Sequence, residues 1–157
     1  MKLVTFEHGA QSRIGALQEK NQIVDLHVAC ALYLRDVEDE SIFYRMADAL
    51  VPPDMRALFH GGDTSLEAAR KALDYVAQLG SDATGPRGET LVYALGDAKL
   101  KAPIIPKKFF HTAGNFREHH EEATKAGFSH PVMPWIVFFQ NTDAIIGPDE
   151  AVIYPEH

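Results

Sequence analysis

The sequence contains a single cysteine, Cys30, among its 157 residues. One cysteine can form neither an intrachain disulfide nor a cysteine-rich zinc site. Cys30 lies in the apolar run VACALYL, which favours a buried and unreactive thiol. The sequence therefore argues against a disulfide-stabilised scaffold and against thiolate-bound zinc.

Positive charge and long apolar segments are also scarce. The chain has 15 Lys and Arg against 22 Asp and Glu, a formal net charge of -7. Such an acidic chain, without a basic block, is a poor partner for nucleic acid or for an anionic membrane. No apolar run reaches the length of a membrane span, and the start MKLVTFEHGA lacks the apolar core of a signal peptide. We therefore expect a soluble, cytoplasmic, globular protein.

The first third of the chain predicts a small antiparallel sheet. Turn residues at HGAQ, where Gly9 allows a positive φ, and at EKNQ separate three segments rich in apolar residues. Gly15, inside the second segment, predicts a bulge or a close approach of another backbone. The three predicted strands are KLVTF, RIGALQ and QIVDLHVA.

Helices are predicted next, because from about Ala31 the apolar residues recur at helical spacing. This pattern stops at the VPPD segment, since proline cannot continue a helix. DMRALFHGG predicts a short helix, and SLEAARKALDYVAQL a longer one that Thr64 caps and Gly80 ends. After a polar Gly/Pro loop, the segments that read as extended are TLVYAL, AKLKAPIIP, the buried strand PWIVFFQN and the final strand EAVIYP. The expected fold class is α+β.

The segment GNFREHHEE concentrates titratable side chains behind a Gly-Asn pair. Asn115 is a good helix N-cap, and Glu118 stands at the reciprocal capping-box position. These residues predict a helix from Phe116 to about Ala126, which Gly127 ends. Few of its residues are apolar, so the helix should be only marginally stable and mobile.

His119 and Glu122 share one face of this predicted helix, since they are three residues apart. A carboxylate beside an imidazole can fix the tautomer of a general base and stabilise its charged form. The alternative interpretation is a hydrated helix face with no catalytic role, and spacing alone favours it. Both interpretations remain open at this point.

A zinc site is a third interpretation of the histidines. The HExxH motif requires a second histidine where HEEAT has Thr124, so this motif is excluded. His111 and His130 could join a site from elsewhere, but each is more simply a strand or loop histidine.

Taken together, AGNFREHHEE and PWIVFFQNTDAIIGPDEAVIYP resemble the start of the catalytic domain in the fumarylacetoacetate hydrolase superfamily. Members carry a Gly-x-Asn-Tyr-x-x-His-x-x-Glu pattern, a Phe-x-Lys strand, a Gly-Pro turn and a strand that ends in proline. KLVTFEHGAQSRIGAL and IVDL are similar to the small N-terminal domain of this family. The residues that match the motifs are Asn115, Phe116, His119, Glu122, Gly147, Pro148 and Pro155.

The resemblance implies two domains. Residues 1–100 would form the small N-terminal α+β domain, β-rich with helices. Residues 101–157 would form the opening strands of a mixed β-sandwich roll, the incomplete beginning of the catalytic domain. The family's metal ligands, a Glu-x-Glu pair and a later Asp, would follow the point where this chain ends. We therefore expect no metal ligand in this chain, and the isolated 157-residue chain to be inactive.

The resemblance also implies a function. In the complete enzyme a divalent metal (Mg²⁺, Mn²⁺ or Ca²⁺) would hold a small 2-oxo acid substrate, and His119 with Glu122 would be the catalytic base pair on a mobile helix. Asn115, Phe116 and Gln140 would contact the substrate, although Phe116 replaces the usual Tyr and Gln140 stands where Lys is common. The expected protein is a homodimeric, catabolic hydrolase that cleaves a C–C bond in an acylpyruvate through a metal-bound enolate. The alternatives are an isomerase or decarboxylase of 2-oxo and 2-hydroxy-dienoic diacids, or a non-catalytic fragment or binding module.

Overall fold

The computed structural model describes residues 1–80, 82–113, 116–127 and 136–156. The strands of this part of the chain are β1 (Lys2–His8), β2 (Gln11–Gln18), β3 (Gln22–Asp25), β4 (Val92–Ala94), β5 (Lys99–Lys101), β6 (Phe109–Thr112) and β7 (Val137–Gln140). The helices are α1 (Leu26–Asp36), α2 (Phe43–Leu50), α3 (Met55–His60), α4 (Gly62–Leu79) and α5 (Arg117–Lys125). The chain is therefore α+β, as predicted. No helix among the described residues is both long and apolar enough to cross a bilayer.

Contacts divide the chain into two compact units. The first comprises Met1–Ile104 with Ile146–His157, and the second is Ile105–Ile145. The assignment of residues 1–100 and 101–157 to two family domains stays a prediction.

The first unit contains an antiparallel sheet with the strand order β4-β3-β2-β1-β5. Gly9, with φ of 64°, forms the turn between β1 and β2, and Lys20, with φ of 62°, lies in the turn before β3. Both predicted turns are confirmed. The outer strands β4 and β5 follow the polar loop, so the sheet draws its strands from both sides of that loop.

Gly15 marks a close backbone approach and no bulge. The β1–β2 register runs unbroken through the pair Val4–Gly15. A Cβ at Gly15 would lie 3.1 Å from the backbone oxygen of Val24 and would also overlap the side chain of Ile23. Only glycine fits this position without displacing buried neighbours.

The third predicted strand is wrong in its second half. β3 ends at Asp25, and α1 begins at Leu26, several residues before the predicted change of period near Ala31. The Asp25 carboxylate accepts a hydrogen bond from the backbone N–H of Val28 at 3.0 Å and so caps α1. Because α1 packs against α2, α4 and β2, it is apolar on most sides, and such a run shows no helical period.

Cys30 lies in the middle of α1 and is 1% exposed. Burial raises the pKa of its thiol to about 12. The prediction of a buried thiol is confirmed, and the raised pKa agrees with its predicted low reactivity.

Two predicted ends of α4 have different outcomes. Gly80, with φ of 87°, ends the helix as predicted. The start is wrong: α4 begins at Gly62 directly after α3, with Gly61 at the N-cap, so Thr64 lies inside the helix and cannot cap it. Because only Gly61 separates α3 from α4, the helix begins before the position of Thr64.

In the second unit, β6 and β7 pair antiparallel from Phe109–Gln140 to Thr112–Val137. The prediction of a strand in PWIVFFQN is confirmed for Val137–Gln140, but the prediction of its burial is wrong. All of β7 is exposed, and Phe139 is 73% exposed. A two-stranded sheet has no second layer of its own to cover its faces.

The final predicted strand, EAVIYP, is also wrong. Residues 151–156 carry no strand pairing to any described residue, and Val152, Ile153 and Tyr154 are 83%, 90% and 85% exposed. Apolar, β-branched residues favour an extended backbone, but a strand also needs a partner for its hydrogen bonds.

Candidate active site

The helix that carries the candidate catalytic residues is α5. It begins at Arg117, one residue later than predicted, and the N-cap position is occupied by Phe116 in an extended conformation. The Phe116 side chain makes no capping hydrogen bond, because phenylalanine has no acceptor, and the prediction of Asn115 as the N-cap stays a prediction. Asn115 itself lies outside the described residues. Gly127, with φ of 85°, follows the end of the helix, as predicted.

His119 and Glu122 do lie on one face of α5. The His119 Nδ1 and Glu122 Oε2 atoms are 3.9 Å apart, which is an ion-pair distance but too long for a hydrogen bond. The two side chains are 66% and 80% exposed. No residue of α5 is buried. The helix therefore presents the pair to solvent, where the carboxylate can orient the imidazole only loosely.

The predicted substrate contacts are spread along the second unit. Phe116 stands at the start of α5 and is 70% exposed. Gln140 pairs with Phe109, at the opposite end of β6 from the end that leads to α5. Those ends are roughly 10 Å apart along the strand. The joint contact of these residues with one substrate stays a prediction.

One face of the β6–β7 sheet carries a histidine whose surroundings the sequence analysis missed. Cross-strand pairing places Phe109, His111, Phe138 and Gln140 on this face. The His111 ring lies 4.5 Å from the Phe109 ring and 5.4 Å from the Phe138 ring. Its Nε2 atom is buried without a hydrogen-bond partner among the described residues. Alternate residues of a strand share a face, so the segments FFHT and VFFQ could have predicted that these side chains lie together.

The described residues do not form a metal centre. They contain no group of three His, Cys, Asp or Glu side chains that could hold an ion. Of the carboxylates near the Gly-Pro turn, Glu150 is already held by Lys101, by Lys99 at 3.6 Å and by the Gly147 N–H at 2.6 Å. A divalent cation therefore does not fit the donor set described here.

The Gly147–Pro148 turn packs on the edge strand β5. A Cβ at Gly147 would lie 2.8 Å from the Ala102 nitrogen and 2.9 Å from the Leu100 oxygen. The Glu150 N–H donates to the Gly147 carbonyl at 3.3 Å and closes the turn. This glycine thus serves close packing in the first unit.

Replacing Gly147 with alanine should detach this turn from β5, because backbone atoms on the other side cannot yield as a side chain would. Overpacking of this kind costs about 1–3 kcal/mol. We expect a lower denaturant midpoint and faster amide exchange in residues 146–150. Gly96→Ala is the matched control, since a Cβ at Gly96 meets nothing within 4 Å. Equal midpoints for the two variants would contradict the packing argument.

Acid should also weaken this turn. The hydrogen bond from Lys101, helped by the Gly147 N–H, lowers the pKa of Glu150 from 4.5 to about 2. Because the folded-state pKa is the lower one, the stabilisation is complete above about pH 4.5 and is lost as the pH falls towards 2. The difference in denaturant midpoint between the wild type and Glu150→Gln should shrink across this window. A difference that stays constant from pH 6 to 2.5 would refute the assignment.

Two clefts, with volumes of about 580 and 530 Å³, lie between the turn after β2 and α4. Both belong to the first unit, whereas His119 and Glu122 belong to the second. The chemistry of the residues, and not cleft size, therefore selects the candidate site.

An α+β chain with a His-Glu pair on a short polar helix after β6 agrees with the class that the motifs predicted, the fumarylacetoacetate hydrolase superfamily. A comparison with curated proteins supports this superfamily. The chain is 30% identical over 158 residues to a protein named "Fumarylacetoacetate hydrolase domain-containing protein 2 homolog" from Dictyostelium discoideum. The alignment covers 99% of this chain and 41% of the relative, so the chain spans about two fifths of that relative's length. No family model matches the chain.

Proposed function

We propose that this chain contributes the general base of an enzyme that hydrolyses a carbon–carbon bond in an acylpyruvate. The observation that supports the proposal is the His119–Glu122 pair, with Nδ1 3.9 Å from Oε2 on a helix open to incoming molecules. The membership of the curated relative in the same superfamily supports the reaction class. The substrate and the bond cleaved rest on the resemblance of the motifs.

In the proposed reaction Glu122 faces the Nδ1 side of the imidazole, which leaves Nε2 of His119 to accept a proton from water. The water oxygen adds to the acyl carbonyl carbon. The bond between that carbon and the pyruvyl CH₂ then breaks, and its electron pair passes into the enolate of pyruvate. The imidazolium returns its proton to the enolate carbon. The products are a carboxylic acid and pyruvate, and the base is regenerated.

We propose that Mg²⁺, Mn²⁺ or Ca²⁺ assists the complete enzyme through ligands outside the described residues. Such an ion would polarise the 2-oxo acid. The described residues contain no cluster of metal ligands. A homodimer and a cytoplasmic location are further proposals from the resemblance.

The exposure of the pair is also the observation that favours the rival function, a non-catalytic binding module. The attraction between a carboxylate and the imidazolium that forms is stronger when the site excludes water, and side chains 66% and 80% exposed are those of a hydrated surface. The enzyme proposal therefore requires that substrate or other parts of the protein cover α5 during turnover.

The test is an assay of the full-length protein with acylpyruvates and Mg²⁺, followed by loss of the enol absorbance and by NMR of the products. Pyruvate and a carboxylic acid support the hydrolase. Carbon dioxide indicates a decarboxylase, and a rearranged diacid with all its carbons indicates an isomerase. No turnover of any of these substrates by a folded, metal-loaded protein would favour the binding module.

A further inference from the structure

The segment that carries His119 is joined to the first unit at both of its ends, and these two junctions lie close together. The second unit is the continuous segment Ile105–Ile145, and the chain on both of its sides belongs to the first unit. Just before it, Ala102 is 9% exposed, and the Pro103 carbonyl accepts a hydrogen bond from the Thr5 hydroxyl at 2.9 Å. The entry point is thus held against β1.

The exit point is held against β5, the strand that pairs with β1. Gly147 is buried and lies so close to Ala102 that an added Cβ would be 2.8 Å from its nitrogen. The ammonium group of Lys101 donates to the Glu150 carboxylate, which also accepts from the Gly147 N–H. Backbone positions 45 residues apart in sequence (102 and 147) are therefore in contact, and Glu150 pairs across the junction with Lys101 and, at 3.6 Å, with Lys99.

A segment held at both ends explores far fewer positions than a segment held at one end, because closing a long loop removes conformational freedom. The side chains of Lys101 and Glu150 are 32% and 20% exposed, so water screens their pair less than it screens a fully exposed one. The ion pair is therefore suited to restricting the positions from which α5 can reach a substrate.

We propose that Lys101 and Glu150 are positioning residues for His119: they clasp the two ends of the Ile105–Ile145 segment on β5 and so restrict where α5 can lie. This inference rests on the proposed function, because it assigns the clasp to the reaction of His119. In this role both residues act through the position of α5 and not through contact with substrate, so the clasp should act on kcat more than on KM.

The experiment compares Lys101→Met, Glu150→Gln and the double variant in the full-length protein, with Lys71→Met as the control. Lys71 forms an exposed pair with Glu67 on α4 at 3.4 Å, far along the chain from the clasp. We expect each clasp variant to lower kcat about three- to tenfold with KM nearly unchanged. The kcat of the double variant should be no lower than that of the slower single variant, because either substitution alone already breaks the Lys101–Glu150 pair. The control should retain wild-type values.

A second readout needs no activity. Lys107 and Lys108 are exposed and directly follow the entry point, so trypsin should cut there several times faster in Glu150→Gln. Cleavage after Arg87, in the loop before β4, should keep its wild-type rate. Unchanged cleavage at Lys107 and Lys108 would refute the clasp.

The kinetic outcomes separate this inference from the proposed function. Wild-type turnover with an unchanged kcat in both single variants would overturn the positioning role alone, even if trypsin cleavage accelerates. Absence of turnover by the wild type would overturn the proposed function, and the positioning role with it. Additive losses in the double variant would show that Lys101 and Glu150 act separately and would also refute the clasp.

Discussion

Replacing His119 with alanine is expected to lower the kcat of the full-length protein by about 10²- to 10⁴-fold, the usual effect of removing a positioned general base. The fold should be unaffected, because the His119 side chain is 66% exposed and supports little packing. Steady-state kinetics with an acylpyruvate and Mg²⁺ would measure the loss. Circular dichroism and the thermal midpoint would verify that the variant remains folded.

Two neighbouring substitutions give the control for this result. Glu122→Gln should reduce kcat less than His119→Ala does, since Glu122 only orients the imidazole from 3.9 Å. His120→Ala should be nearly silent, because adjacent helical residues point roughly 100° apart. Loss of turnover in His120→Ala with activity retained in His119→Ala would show that the base has been misassigned. No effect of either change in an active enzyme would favour the hydrated-face interpretation.

Replacing Asp25 with alanine should cause the largest loss of stability. Asp25 is 0% exposed, and its carboxylate binds Arg13 at 2.6 Å and caps α1. Removing one partner of a buried ion pair costs about 3–5 kcal/mol. We expect about 3 kcal/mol here, since the Arg13 side chain is 24% exposed and can be hydrated. The thermal midpoint should fall by roughly 6–12 °C.

The matched control is Asp48→Ala, which breaks a surface pair. Asp48 is 65% exposed and lies 2.9 Å from His27, so its removal should cost at most about 1 kcal/mol. Asp25→Asn should fall between the two, because the amide keeps an acceptor for the Val28 N–H but loses the charge opposite Arg13. A midpoint for Asp25→Ala equal to that of Asp48→Ala would show that the buried pair contributes little.

Features with a local cause were predictable from the sequence. The turns at Gly9 and Asn21 and the end of α4 at Gly80 follow from residues that tolerate a positive φ. The polar helix with His119 and Glu122 on one face follows from spacing alone. The superfamily was recognisable because several short motifs occur in the right order along the chain.

Features that depend on distant partners were not predictable. Asp25 reads as one more residue of an apolar strand, and only its contacts with Arg13 and Val28 show that it ends β3 and starts α1. Val152 and Phe139 carry the side chains of buried strands, yet both are exposed. A hydrophobic pattern indicates which secondary structure a segment favours. Whether the segment is buried depends on another part of the protein covering it.

The same distinction applies to the candidate site. The sequence by itself determined which residues can act as base and orienting carboxylate, because a helix of 3.6 residues per turn brings positions 119 and 122 together. Only the tertiary structure decided that the pair is open to solvent, that His111 and Gln140 share a sheet face, and that Lys101 meets Glu150. These contacts join residues far apart in the chain, and their formation depends on how the whole chain packs.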